Sequence, residues 1–168
     1  LYLHLPFCAS KCAYCDFNSI VGEERLREDY FTALLREVER CGGHYHERVF
    51  TTVYLGGGTP TLYEPVRLCQ LLDTVRRAVH LAPDAEITVE ANPGTVTAPG
   101  LLLLRESGFT RLSLGVQSLN DGELRLLGRE HTAQEAREAI AAARAAGFDN
   151  LSLDLINCLP GQTPEAWQ

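Results

Sequence analysis

The chain has 168 residues, of which 45% are hydrophobic and 22% charged, and its formal net charge at pH 7 is -7. This length and composition predict one globular domain with a substantial core. The acidic balance argues against general binding to nucleic acid or to an anionic membrane surface, and no apolar run approaches the roughly 20 residues that a membrane-spanning helix needs.

Five stretches are predicted as β-strands, and a helical pattern follows each of the first four. The strands are expected at residues 1–5, 50–55, 86–91, 111–116 and 150–156. The helices are expected at residues 26–44, 64–80, 97–108, 121–127 and 132–147. Strands that alternate with helices predict an α/β fold with a parallel sheet.

The predicted strands have one apolar and one polar side, which is unusual for parallel strands covered by helices on both faces. The polar side carries Tyr2, His4, Thr52, Tyr54, Thr88, Glu90, Asn92, Ser113, Gln117, Ser152 and Asp154. We therefore expect a curved sheet or partial barrel whose polar face lines a ligand-bearing lumen. The alternative is a sheet with one face in water.

The loop after the first strand holds three cysteines, Cys8, Cys12 and Cys15, within eight residues. Three thiolates are one short of the four that usually close a zinc or iron–sulfur site, so the pattern favours a metal centre with an open coordination position. The alternative is a structural zinc site with His4 as the fourth ligand. We expect His4 to form hydrogen bonds in the lumen instead.

The six cysteines also bear on the compartment in which the protein works. A metal site in a long chain without secretory features favours a reducing compartment, so we expect a cytoplasmic protein. Cys41 and Cys69 are expected to be small packing residues on helices. Cys158 is expected to be buried and inert, and the alternative is a free thiol near the rim of the sheet.

Further polar groups follow the other strands at the edge where the cysteine loop begins. A glycine run, Gly56–Gly58, follows the second strand and would let a ligand approach the backbone, or form a flexible turn. Glu90, Gln117 and Asp154 come at or near the ends of the next three strands. Arg129 could clamp a carboxylate, pair with Glu90 or be a solvated surface charge.

The pattern Cys8-x3-Cys12-x2-Cys15, with Tyr14 before the last cysteine, resembles the radical S-adenosylmethionine (SAM) signature. Together with 56–60, 90–93, 114–118 and 154–156, it is similar to the oxygen-independent coproporphyrinogen III oxidase-like family, which includes the HemW-type haem chaperones. The resemblance implies a partial parallel (β/α)6 barrel, truncated here after about five βα units. Residues 1–168 would then be a single, incomplete radical SAM core domain, cut at both ends.

The resemblance also implies a set of cofactors and site residues. Cys8, Cys12 and Cys15 would hold a [4Fe–4S] cluster, and SAM would chelate the fourth iron through its amino and carboxylate groups. The family pattern places Tyr14 beside the cluster. Around SAM it places Tyr2, Gly57, Gly58, Thr59, Glu90, Gln117, Arg129 and Asp154.

Residues 15–19 and 160–162 resemble the haem-chaperone branch of the family. The porphyrinogen oxidases carry a further cysteine two places after the third, where this chain has Phe17. The resemblance therefore favours a haem chaperone that binds haem and passes it to an unknown acceptor protein, with an electron donor as a further partner. Cys158 stands where the family has glycine, a residue that a positive φ angle would require.

Two alternatives stay open beside the haem chaperone. One is an oxygen-independent coproporphyrinogen III oxidase, which uses SAM-derived radical chemistry for the oxidative decarboxylation of propionates in haem biosynthesis. The other is a zinc-bound structural fragment.

Overall fold

The computed structural model describes residues 1–22, 24–45 and 47–167. Within these ranges the strands are β1 (Tyr2–Leu5), β2 (Phe7–Cys8), β3 (Ile20–Val21), β4 (Val49–Gly57), β5 (His80–Ala91), β6 (Arg111–Gln117) and β7 (Asn150–Leu155). The α-helices are α1 (Glu24–Gly42), α2 (Pro65–Ala78), α3 (Ala98–Glu106), α4 (Asp121–Leu126), α5 (Ala133–Ala145) and α6 (Pro164–Trp167).

The main sheet has five strands in the order β1-β4-β5-β6-β7, and every pair is parallel. This confirms the predicted α/β fold. Strand β5 begins at His80, earlier than predicted, because His80 and Leu81 pair with the start of β4. The pairing then shifts register before Glu86, and Pro83 lies in that interruption, where the absence of its backbone N–H is tolerated.

Two helices begin at predicted caps. The side chain of Thr97 accepts a hydrogen bond from the backbone N–H of Gly100 at the start of α3. At the start of α5, Thr132 and Glu135 form a reciprocal capping box. These caps satisfy backbone donors that a helix leaves unpaired at its first turn.

The core lies between the apolar face of the sheet and the layer formed by α1, α2, α3 and α5. The predicted apolar face of α2 is confirmed, since Leu68, Leu71, Leu72 and Val75 are fully buried. On β7 the outcome differs, because this strand lies at the edge of the sheet. Its apolar residues Leu153 and Leu155 are 40% and 47% exposed.

The polar face keeps one register across the sheet, as the alternation predicted. Tyr2 lies opposite Tyr54, and Tyr54 lies opposite Thr88. One step further along the strands, Glu90 pairs with Ser113. Polar side chains from neighbouring strands are therefore stacked in rows that lead to the carboxyl ends of the strands.

The structure corrects two predictions about cysteines. Cys69 packs partly against the core, as expected, but Cys41 is exposed at the end of α1. Cys158 is exposed rather than buried, and its φ angle is 60°. The positive φ agrees with the suggestion that this position suits glycine. In the described part of the chain, no helix has the length and hydropathy needed to span a membrane.

Candidate cofactor site

The cysteine loop (residues 8–19) is held at its base by a short parallel ladder. Phe7 pairs with Ile20, and Cys8 pairs with Val21. Across the loop, the ammonium group of Lys11 donates to the carbonyl oxygen of Phe17 and to the hydroxyl of Ser19, each at 2.8 Å. The loop is therefore fixed by the protein itself at both its base and its centre. Two-residue strands have no recognisable period, so the sequence did not reveal this ladder.

The loop covers a cavity of about 420 Å³, the central cavity, at the carboxyl ends of the main strands. Every predicted site residue except Tyr2 lines it: Cys8, Cys12, Tyr14, Cys15, Gly57, Gly58, Thr59, Glu90, Gln117, Arg129 and Asp154. Active sites of parallel α/β folds form at this end of the sheet. The polar residues at the strand ends predicted one site at this end of the sheet.

Tyr2 lies in a different groove, beside the start of the sheet. Its hydroxyl is 3.0 Å from Nδ1 of His4, and its ring stacks on Tyr54 with 6.0 Å between centroids. The Nε2 atom of His4 is 2.9 Å from the carbonyl oxygen of Asn18. His4 is thus a hydrogen-bonding residue, as predicted, and both of its ring nitrogens are engaged.

The three cysteine thiols are free and partly exposed in the central cavity. Among the described residues, no three His, Cys, Asp or Glu side chains are grouped to hold a metal ion. A single zinc ion would need its sulfur ligands within about 4 Å of one another, since each Zn–S bond is about 2.3 Å. A four-iron cluster instead spreads its ligands over separate iron atoms.

Two donors point at cysteine sulfurs. The hydroxyl of Thr59 is 3.7 Å from Sγ of Cys8, and Nη1 of Arg129 is 3.6 Å from Sγ of Cys12. Charge-assisted and hydroxyl donors of this kind stabilise negative charge on sulfur. Free thiols with donors aimed at them fit ligands of a negatively charged cluster.

The glycine run packs tightly against the protein. A Cβ atom on Gly58 would lie 2.5 Å from the carbonyl oxygen of Phe7 and 2.6 Å from that of Pro6. A Cβ atom on Gly56 would lie 2.9 Å from the carboxylate of Glu90. The run therefore joins β4 to the base of the cysteine loop, a role beyond the predicted approach of a ligand.

Glu90 is held by neighbours on β4. The Tyr54 hydroxyl donates to one carboxylate oxygen at 2.6 Å, and the Gly57 N–H donates to the other at 3.0 Å. The pKa of Tyr54 is raised above its ordinary value, first by burial and then by this hydrogen bond. Glu90 is thus fixed at the cavity wall without the ion pair to Arg129 that was one expectation.

Arg129 is a partly buried residue rather than a solvated surface charge. Its Nη2 atom donates to the side-chain oxygen of Asn92 at 2.6 Å and to the carbonyl oxygen of Gly115 at 2.9 Å. Its Nε atom is buried and has no hydrogen-bond partner among the described residues. A buried donor without an acceptor is costly, so this arginine suits a ligand that carries a carboxylate.

Asn92 belongs to the site although it was not among the predicted cofactor residues. It lines the central cavity and bonds both Arg129 and Thr59, the latter through Nδ2 to Oγ1 at 3.0 Å. The available signal was its position on the polar face, two residues after Glu90.

Gln117 and Asp154 complete the rim from β6 and β7. Gln117 has a φ angle of 67°, and its carbonyl oxygen accepts from the N–H of Ile156 at 2.9 Å. Such a backbone conformation costs about 1–3 kcal/mol for a residue with a side chain and is typical of functional sites. The exposed carboxylate of Asp154 accepts from the Ser113 hydroxyl at 3.5 Å.

His131, which also lines the cavity, gives a pH-dependent prediction. Burial, and then the charge of Arg129, hold the pKa of His131 below its ordinary 6.5. Between its folded and unfolded pKa values, His131 binds a proton in the unfolded chain but not in the folded chain. The stability that the neutral, buried His131 contributes is therefore present above pH 6.5 and is lost as pH falls. The free energy of unfolding of the complete protein should fall between about pH 7.5 and about pH 5.5. We expect this fall to be smaller in the His131→Gln variant. Urea titrations at both pH values measure it.

The exposed His80 provides the control. His80→Gln should leave the fall of the wild-type protein unchanged, and an equal reduction in both variants would contradict the assignment to His131.

Comparison with known proteins places this arrangement in a family. A model of the Radical SAM superfamily matches residues 2–168. The chain is 43% identical over 166 residues to a protein of Escherichia coli K12 named heme chaperone HemW, covering 98% of this chain and 44% of that protein. It is 39% identical over 170 residues to mouse radical S-adenosyl methionine domain-containing protein 1, mitochondrial, covering 99% and 38%.

A solved structure gives the same result for the fold. The structure of coproporphyrinogen III oxidase (HemN) from Escherichia coli, described as a radical SAM enzyme, superposes with a TM-score of 0.90 at 35% identity. The match covers 99% of this chain and 38% of that one. The chain therefore spans less than half the length of these relatives.

Proposed function

This chain belongs to the radical SAM superfamily, and we propose that it is the cluster- and SAM-binding core of a haem chaperone, a protein that binds haem and transfers it to an acceptor. The observation that carries the proposal is the 43% identity to a relative named for that activity. In this proposal residues 1–168 are part of one larger radical SAM domain. A site built from free thiols suits a reducing compartment, so the proposal places the whole protein in the cytoplasm.

Membership of the superfamily implies a [4Fe–4S] cluster and SAM. We assign the cluster to Cys8, Cys12 and Cys15, which share the central cavity. When bound, the cluster supplies an electron to SAM, which is the source of radical chemistry in this superfamily. An electron donor is therefore a further partner.

The residues around the cavity suit the charges of SAM. Glu90 and Asp154 present carboxylates that can bind an ammonium group, a sulfonium group or ribose hydroxyls. Arg129 can bind a carboxylate with its free Nε donor. We assign SAM binding to these residues and to Tyr14, Gly57, Gly58, Thr59 and Gln117, and retain Tyr2 from the family pattern.

Phe17 supports the haem chaperone over the alternative function. By the family resemblance it stands where the oxidases carry an additional cysteine, and it lines the central cavity and is 70% exposed. A phenylalanine side chain cannot ligate a metal or donate a hydrogen bond at this position. The alternative is oxygen-independent coproporphyrinogen III oxidation. The observation in its favour is the likeness to the oxidase structure.

The two functions are separated with the complete protein after anaerobic reconstitution of its cluster. We expect haemin to bind with saturable changes in its visible absorption. We also expect no protoporphyrinogen after incubation with coproporphyrinogen III, SAM and a reductant. Formation of protoporphyrinogen would establish the oxidase instead, and the absence of haemin binding would refute the chaperone.

A further inference from the structure

Three side chains connect two of the cluster cysteines. Arg129 approaches Cys12, Asn92 joins Arg129 to Thr59, and Thr59 approaches Cys8. The distances along this connection are 3.6, 2.6, 3.0 and 3.7 Å. The three side chains come from separate parts of the chain, following β4, β5 and α4.

The direction of every hydrogen bond in this connection is determined. A guanidinium group only donates, so the side-chain oxygen of Asn92 must face Arg129. The amide NH2 of Asn92 then faces Thr59 and donates to its oxygen. The proton of the Thr59 hydroxyl is thereby left for Sγ of Cys8. The connection thus ends in a donor at each of the two sulfurs.

The space around Asn92 supports a defined position for its side chain. A Cβ atom on Gly115 would lie 2.9 Å from the side-chain oxygen of Asn92, so the missing side chain makes room for it. The carbonyl oxygen of Gly115 also accepts from Arg129. Asn92 is therefore held between two strands and the arginine, and its amide cannot turn over without losing the bond to Arg129.

We infer that Asn92 is a positioning residue that directs the Thr59 hydroxyl and the Arg129 guanidinium at the sulfurs of Cys8 and Cys12, and thereby raises the reduction potential of the cluster. Hydrogen bonds to cluster sulfurs stabilise the more negative, reduced state, and they are among the factors that set the potential. The inference rests on the cluster of the proposed function, but it is independent of haem.

The test is a redox titration of the complete, reconstituted protein, followed by EPR, with iron content and circular dichroism measured for each variant. We expect Thr59→Val and Asn92→Ala to lower the midpoint potential while the cluster is retained. Thr59→Ser keeps the hydroxyl and should stay close to the wild-type potential. The double variant should shift by less than the sum of the single shifts, because Asn92 acts partly through Thr59.

A variant of the same shape keeps the inference testable if Asn92→Ala does not fold. Asn92→Asp cannot donate, so the Thr59 hydroxyl would donate to the new carboxylate and leave Cys8. Its potential should fall as well. Asn150→Ala serves as the control, since Asn150 bonds Glu86 at the opposite end of the sheet and should leave the potential unchanged.

The outcomes separate this inference from the function. An unchanged potential in iron-replete Asn92 variants, an equal fall in Asn150→Ala, or strictly additive shifts would overturn the role of Asn92 and leave the haem chaperone intact. A wild-type protein that forms no cluster would overturn both. Failure of haemin binding with the predicted potentials would refute the chaperone alone.

Discussion

Replacing Cys12 by alanine is expected to lower the iron content of the complete, reconstituted protein from about four atoms per chain to well below one. The proposed cluster has three cysteine ligands, and no other described cysteine lines the central cavity to replace the one removed. Because Cys12 lies on a loop and is only partly buried, the fold should persist. Iron and sulfide assays, visible absorption and circular dichroism together measure this result.

Cys41→Ala is the matched control, since Cys41 is an exposed thiol at the end of α1 and away from the cavity. This variant should keep the iron, the sulfide and the brown colour of the wild-type protein. A Cys12→Ala protein that retains four irons per chain would remove the cluster assignment.

The second large effect is expected at Gly58. A methyl group there would collide with backbone atoms of Pro6 and Phe7, and a backbone cannot move aside as a flexible side chain can. The change would also disturb the hydrogen bond from the Thr59 N–H to the Phe7 carbonyl oxygen at 2.7 Å. We expect Gly58→Ala to lower the free energy of unfolding of the complete protein by about 2–3 kcal/mol.

A shift of the backbone at Pro6 and Phe7 should also weaken cluster binding, because Phe7 directly precedes Cys8 in the chain. Urea titration measures the first effect, and the rate of iron loss to a chelator measures the second. Gly94→Ala is the control, since a Cβ atom at Gly94 would have none of the described atoms as a neighbour within 4 Å, and φ is not in the left-handed region there. Equal behaviour of the two variants would show that the close packing at Gly58 has no energetic consequence.

The sheet could be predicted from the sequence because its signals are local and repeated. The alternation of apolar and polar residues defined both faces, and the capping residues Thr97 and Thr132 marked helix starts. The early start of β5 escaped prediction, since Pro83 and Asp84 interrupt the pattern and only pairing with β4 extends the strand. Strand limits of this kind depend on a distant partner.

The sequence predicted most of the residues that form the site, but it did not predict the hydrogen bonds between them. The cysteine spacing and the polar strand ends identified most residues of the central cavity. The partners of Glu90 depend on the register between β4 and β5, which brings Tyr54 beside it from 36 residues away. Asn92 escaped for the same reason, because its role depends on the directions of hydrogen bonds to Thr59 and Arg129.

The position of Tyr2 shows a further limit of the polar pattern. Tyr2 shares the polar face with the site residues, but it lies at the opposite end of β1 from the cysteine loop. Alternation indicates the face on which a side chain lies, while its distance from the cavity depends on how far along the strand it stands. Its assignment to SAM stays a prediction.

The EPR spectrum of the reduced, reconstituted complete protein before and after SAM is added tests the proposed cluster site directly. In the proposed site, Cys8, Cys12 and Cys15 hold a cluster with one iron open to SAM. A bound SAM that ligates this iron should change the spectrum, and the change should saturate with SAM concentration. A protein with a full complement of iron and sulfide whose spectrum does not respond to SAM would contradict the claim.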